Sequence, residues 1–255
     1  HATFIVLAVV VLVAGIPLAL VIRDRPEDLG LLPDGEIASA DSHGAAAHAA
    51  RTRASGGLEV AEAVRTPAFY LLVLAMAAGT AAQIVWIVFQ VPHLKSAGFS
   101  LGFAGIQAAA YGMAAIPLRW AVGWLGDSFG RKKMYMLAVT LEGIGLCFFA
   151  FVTPERWWLF IPFYLTFGIG HAGWLVMIQS LPADFFGTKR FATIRGIILA
   201  LQIPVSILVP LFMGHVFDAR GNYEFAYVVI GCLTAGGALC LGLVRRPLWI
   251  HSAAK

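Results

Sequence analysis

Arg119 stands inside an otherwise apolar run, Gly112-Met-Ala-Ala-Ile-Pro-Leu-Arg-Trp-Ala-Val-Gly123. A guanidinium stays charged and can form two parallel hydrogen bonds to a carboxylate, and the small residues around this one leave room for a ligand or a close neighbouring helix. Two structural roles compete: snorkelling to the nearby membrane edge, or a permanent pair with Glu142 in the next run. Glu142 and His171 are the other ionisable groups deep in apolar sequence. His171 lies about 21 Å into its run, where it could carry a proton, bind an anion, or bond a neighbouring helix. Gln83, Gln90, Gln202 and Ser206 suit either substrate contact or bonding between helices. Trp86, Tyr111 and Trp174 supply aromatic surface for a ligand wall, for packing or for an interfacial belt.

Helical spacing aligns these residues into faces. Gly79, Gln83, Trp86 and Gln90 share one, and Ala108, Gly112, Ala115, Arg119 and Gly126 share another. Tyr164, Gly168, His171 and Trp174 form a third, and Gln202 with Ser206 a fourth, in a run interrupted by Pro204 and Pro210. The faces belong to runs long enough to cross roughly 30 Å of hydrocarbon. Seven such runs are expected, at 4–22, 68–91, 101–126, 134–152, 157–180, 193–215 and 225–244. The positive charges cluster on one side: Arg23 to Arg65, Arg131 to Lys133, Lys189 to Arg195, and Arg245 to Lys255. The other side has Lys95, Arg156 and Arg220. The rich side is expected to be cytoplasmic, so the first span enters from outside.

Composition supports this reading. The 255 residues are 60% hydrophobic and 13% charged, with mean hydropathy +0.82, against about 25% charged in soluble domains. The net charge of +4 comes from membrane flanks and does not indicate nucleic acid. Cys147, Cys232 and Cys240 lie in apolar runs and suggest neither a disulfide framework nor a metal site. No cofactor or metal is expected. The first run is too long for a signal-peptide core and has no basic leader, so it reads as a true span and the chain as a fragment of something longer. Glu36 to Gly57 is rich in Ala, Ser, Gly and His and reads as a flexible linker, with His43 and His48 solvated. Leu58 to Arg65 reads as a short amphipathic helix on the membrane surface.

Between the third and fourth runs the chain reads Gly123-x-Leu125-x-Asp127-x-x-Gly130-Arg131-Lys132-Lys133. Gly123 and Gly126 invite a close helix neighbour. Gly130 permits a sharp reversal. Asp127 is suited to meet a helix N-terminus, and the basic residues read as a tight loop. The phrase resembles the cytoplasmic-loop signature of the major facilitator superfamily, with Ser128 where the family carries a basic residue. Arg25 to Gly35, Glu62 to Phe69, Pro92 to Ser100, Leu181 to Gly187 and Met213 to Asp218 are similar to the bacterial branch related to oxalate/formate antiporters and monocarboxylate transporters.

The resemblance implies an all-α integral membrane fold. Residues 1–22 correspond to the sixth span, 23–66 to the cytoplasmic central loop, 67–244 to the C-terminal six-helix half, and 245–255 to a cytoplasmic tail. The N-terminal half of the same transporter is expected as partner, in a bacterial cytoplasmic membrane. The spans at 68–91, 101–126, 157–180 and 193–215 would line the cavity, and these bear the polar faces. An arginine four residues before the signature glycine pairs with substrate in the monocarboxylate branch, and Arg119 and Gly123 stand in that relation. The run at 193–215 has no lysine, which speaks against an oxalate-like dianion.

The expected function is secondary transport of a small organic anion, such as a monocarboxylate, by alternating access. Arg119, Gln83, Trp86, Tyr111, His171, Trp174 and Gln202 are the candidate substrate residues, and Glu142 and His171 the candidate proton or ion-pair residues. Gly123, Leu125, Asp127, Gly130, Arg131 and Lys132 would form a conformational latch. The alternatives are an exporter of neutral or amphipathic compounds, with Arg119 structural, and a seven-helix receptor. No nucleophile pair or HExxH helix suggests an enzyme.

Overall fold

A computed structural model describes residues 2–21 and 56–244, in two compact units divided after Ala54. In the first unit Ala2–Val21 form one uncharged helix, α1, with Pro17 inside it. The expected linker and central loop up to residue 55, His43 and His48 among them, lie outside the described residues, as does the tail from 245.

The second unit is helical. The short α2 (Val60–Val64) is followed by α3 (Pro67–Ser96), α4 (Leu101–Phe129), α5 (Arg131–Ala150), α6 (Pro154–Phe186), α7 (Phe191–Arg220) and α8 (Glu224–Leu243). All six from α3 onward are long and apolar enough to cross a bilayer. Their starts follow local chemistry. The Thr66 hydroxyl accepts the Phe69 N–H at 3.3 Å, and Pro67, which has no N–H to satisfy, takes the first helical position. The Ser100 hydroxyl caps α4 through Phe103 N–H at 3.2 Å. Several helices outrun their apolar stretches, because a helix that satisfies its own backbone continues past the hydrocarbon edge.

The α6 helix is composite. A 3-10 entry over Pro154–Leu159 leads through Phe160–Phe163 into a widened π turn at Tyr164–Gly168, then a regular helix over Ile169–Phe186. The Thr166 hydroxyl donates to the Pro162 carbonyl at 2.7 Å, giving the widened turn a side-chain bond in place of a backbone one.

Glycines set the tightest crossings. Gly143 on α5 and Gly231 on α8 face each other, and a Cβ at Gly231 would lie 2.7 Å from the Gly143 carbonyl oxygen. Tyr135 donates to the Ala75 carbonyl at 3.3 Å and Thr234 to the Ala78 carbonyl at 3.1 Å, tying α5 and α8 to α3. Two apolar clusters follow, one around Trp86, Phe149, Phe163 and Tyr227 and one around Phe69, Tyr135, Trp174 and Phe185. Apolar stretches of α5 and α6 are 56% buried inside the bundle, those of α4 and α7 only 22%. The latter two therefore present the large uncovered faces of this bundle.

Candidate functional site

The signature forms one end of the bundle. The expected basic loop is not a loop. Helix α4 continues through Asp127 and Ser128 to Phe129, Gly130 alone breaks it with φ of +91°, and α5 begins at Arg131. Arg131 and Lys132 thus occupy a helix N-terminus, where the helix dipole disfavours cations. Partners from other helices offset this. Arg131 pairs with Asp184 of α6 at 3.2 Å. The Lys132 ammonium donates to the Val244 carbonyl at 2.6 Å and the Gly242 carbonyl at 3.4 Å, at the C-terminus of α8, where a cation is favoured. Gly126 gives the close approach expected of it, since a Cβ there would overlap the Met177 methyl of α6. Gly123 is looser, with Val176 Cγ1 3.8 Å from its would-be Cβ, and Leu125 packs at the edge of an apolar cluster.

At the same end, Leu58 N–H donates to the Phe186 carbonyl at 2.9 Å and Thr188 N–H to the Gly56 carbonyl at 3.1 Å. Glu59 then receives Lys189 at 2.9 Å and Arg190 at 3.1 Å. Hydrogen bonds from Lys189 and Arg190 hold its carboxyl below the usual glutamate range. This clip fixes the chain entering α2 to the turn between α6 and α7.

Deeper in, α5 and α6 cross at Gly170, whose missing Cβ would overlap the backbone N of Glu142 and O of Ala138. That contact brings the next residue, His171, to Glu142, with Nδ1 2.7 Å from Oε1. Both are buried, Glu142 completely, and Glu142 Oε2 has no hydrogen-bond partner. Phe167 and Trp174 stack on the two sides of His171, at 5.2 and 5.5 Å between ring centroids. Tyr111 lies 6.2 Å from the same ring and 4.7 Å from Trp86. The structure therefore unites Trp86, Tyr111, His171 and Trp174 from α3, α4 and α6 in one buried aromatic layer, with Glu142 behind it. The π turn ends three residues before His171.

Arg119 lies elsewhere. It is on the exposed face of α4, ten residues before Phe129, or about 15 Å from the helix end. Glu142, eleven residues into α5, is at similar depth, yet its carboxylate is bonded to His171. Among the described residues Arg119 has no hydrogen bond or ion pair.

A third assembly is a cavity of about 300 Å³ between α3, α6 and α7, lined by Gln83, Trp174 and Gln202 together with Thr80, Gln179 and Arg195. The Thr80 hydroxyl lies 3.1 Å from Gln202 Oε1, linking α3 to α7. Gly79 makes room for the Trp174 indole, which a Cβ there would overlap. Arg195 donates to Gln179 Oε1 at 3.2 Å. Sequence reasoning assigned Arg195 to the flanking charge. The signal that could have found it is its spacing: Arg195, Leu199, Gln202 and Ser206 form one helical stripe. Gln90, expected on the Gln83 face, has its Oε1 buried without a partner.

Six apolar helices, ionisable groups between them and a polar cavity define an integral, multi-pass membrane protein rather than a soluble enzyme. The Major Facilitator Superfamily model matches residues 71–252, and the chain belongs to that family. Monocarboxylate transporter 12 of Mus musculus is 28% identical over 177 residues, covering 68% of this chain and 35% of that protein. Its Homo sapiens counterpart is 26% identical over 177 residues, covering 68% and 33%. The sphingosine-1-phosphate transporter of Danio rerio is 27% identical over 137 residues, covering 53% and 26%. The chain thus spans about a third of the length of the mouse and human relatives and about a quarter of the zebrafish one. Membership of a transporter family removes the support for a receptor.

Proposed function

We propose that residues 1–255 are part of a secondary carrier that moves a small organic anion, a monocarboxylate, by alternating access. Arg119 is its carboxylate-binding residue. The observation that carries this is the division of charge at equal depth. Glu142, the acid that could have neutralised Arg119, is occupied by His171, and the guanidinium stands free on the exposed face of α4. The names of the mouse and human relatives agree with a monocarboxylate.

In this reading residues 1–22 act as the span before the central loop, 23–66 as that loop, 67–244 as one six-helix half, and 245–255 as the tail. The other half comes from sequence outside these residues. The signature end, loop and tail face the cytoplasm of a bacterial cell, as the clustering of basic residues suggests. Gln83, Trp174 and Gln202 border the substrate path, and Trp86, Tyr111 and His171 stiffen the layer behind it. Asp127, in the last turn of α4, works with Gly130, Arg131 and Lys132 as the latch.

The test is carboxylate transport by the full-length carrier. Arg119→Ala should reduce it at least tenfold, as expected for loss of a charge-assisted pair, and Arg119→Lys should not fully restore it, because an ammonium cannot make the bidentate contact. Unchanged transport by Arg119→Ala would sink the reading. An exporter of amphipathic compounds would then lead, a reading favoured by the zebrafish relative, whose name gives an amphipathic phosphate as its substrate.

A further inference from the structure

The cavity between α3, α6 and α7 has a chemistry that its protein contacts leave incomplete. Among the described residues Arg195 is the one charged group on its lining, and no acid lines it. One guanidinium nitrogen is held by Gln179, a neutral acceptor, at 3.2 Å. The other terminal nitrogen, Nη1, is buried and has no acceptor. Arg195 as a whole is half-buried, but a guanidinium nitrogen shut off from solvent without an acceptor among the described residues is costly, more so within a membrane protein, and suits an anionic oxygen. The remaining polar groups, Thr80, Gln83, Gln202 and Ser206, are neutral and suited to a second oxygen, while Trp174 offers apolar surface. A volume of about 300 Å³ falls at the small end of ligand pockets, which run from roughly 300 to 1,000 Å³.

Position separates this cavity from Arg119, which is not on its lining. The start of α7 and the end of α4 lie at the same end of the bundle, because Arg131, next to the α4 terminus, pairs with Asp184 near the end of α6. Arg195 is four residues into α7, or about 6 Å from that end, against about 15 Å for Arg119. A carboxylate passing between Arg119 and the signature side would come to Arg195 nearer the exit.

We propose that this cavity is a second carboxylate subsite, held by Arg195 and clamped by Gln179, at which the substrate pauses on the signature side of the Arg119 site. The proposal rests on the organic-anion reading above. The experiment uses the full-length carrier in proteoliposomes with L-lactate as probe, and measures half-saturation of exchange separately from each face. Arg195→Gln should raise the half-saturating lactate concentration about tenfold on the signature face and less than twofold on the opposite face, and Arg195→Lys should fall between Arg195→Gln and wild type.

Unchanged half-saturation on both faces, or an equal rise on both, overturns the subsite. So does an Arg195→Gln carrier that melts at lower temperature without lactate yet keeps its half-saturation, since Arg195 would then be a structural partner of an acid in the other half. If Arg195→Gln does not fold, Arg195→Lys, which keeps the charge, decides by the same facial asymmetry. Wild-type carrier that neither binds nor exchanges lactate, acetate or benzoate would instead remove the parent reading, an outcome distinct from failure of the subsite alone.

Discussion

The buried pair of Glu142 and His171 gives the most decisive measurement of how this half is held together. His171→Ala leaves a fully buried carboxyl with no partner among the described residues and strips the ring from between Phe167 and Trp174. Removing one member of a buried pair costs about 3–5 kcal/mol, and each lost stacking contact about 0.5–1.5 kcal/mol. Glu142→Ala leaves the imidazole unpaired, at about 1–3 kcal/mol, and opens a small void. The double variant loses the bond once rather than twice. Hydrogen bonds between membrane helices average about 0.6 kcal/mol and reach about 1.7, and a 2.7 Å contact to a carboxylate belongs at the upper end. A coupling of about 1.5 kcal/mol is therefore expected.

The assay is thermal or denaturant unfolding of the purified full-length carrier, as a double-mutant cycle. Additivity within about 0.5 kcal/mol would refute the pair. The same cycle run between Glu142 and Arg119 should be additive. Strong coupling there would return Glu142 to Arg119 and make the arginine structural.

Two further outcomes follow from contacts outside and beside that pair. Glu59 is held in its charged form by Lys189 and Arg190, so its folded pKa lies below its unfolded one. The clip should be intact above the ordinary glutamate range and be lost as pH falls through the depressed value. Amide exchange over residues 56–66 should accelerate on acidification, and Glu59→Gln should abolish that pH dependence; identical pH profiles for the two proteins would contradict the clip. Gly170→Ala should destabilise by about 1–3 kcal/mol through overpacking, because the atoms it would strike are backbone of α5. The same substitution should weaken the Glu142–His171 coupling, and an unchanged coupling energy would show that the crossing does not set the pair.

Much of the arrangement could be read from the chain because charge and hydrocarbon are hard to reconcile. The first apolar run became α1 and the other six became helices long and apolar enough to cross a bilayer, and Arg119, Glu142 and His171 stood out as exceptions within them. Helix phase was legible too: Gln83 and Gln202 do reach one cavity. Helix rotation was not, since a period of 3.6 says which residues share a face but not which neighbour that face meets. Arg119 was therefore the one partner weighed for Glu142, and the pairing with His171 came from Gly170, a residue that acts by lacking a side chain. Arg195 was hidden for a different reason, because a basic residue near a helix start reads first as membrane flank. The reversal at Gly130 was legible, but not that helix runs up to it from both sides, because three consecutive cations look like a loop and the compensation of Arg131 and Lys132 by Asp184 and the α8 carbonyls is contributed by distant sequence.

Under the proposed function, the charges in the bundle suit an anion better than a neutral ligand. Glu142 is bonded to His171 through Oε1, and neither Arg119 nor Arg195 is paired with an acid in the described residues. Two cations kept near a substrate path without neutralisation are unfavourable for a carrier of neutral compounds, which gains nothing from them at any stage of its cycle. For a carrier of carboxylates they are useful because the neutralising group arrives and leaves. Occupancy by substrate removes the electrostatic penalty, and departure restores it, so loading itself biases the equilibrium between conformations through the difference in affinity. A permanent acid from the other half would abolish that coupling and fix each arginine in place. Melting temperature without substrate therefore separates the two cases. Removing a permanently paired arginine leaves an unpaired acid and lowers it, whereas removing one that awaits substrate relieves an unpaired cation and leaves it unchanged or raised.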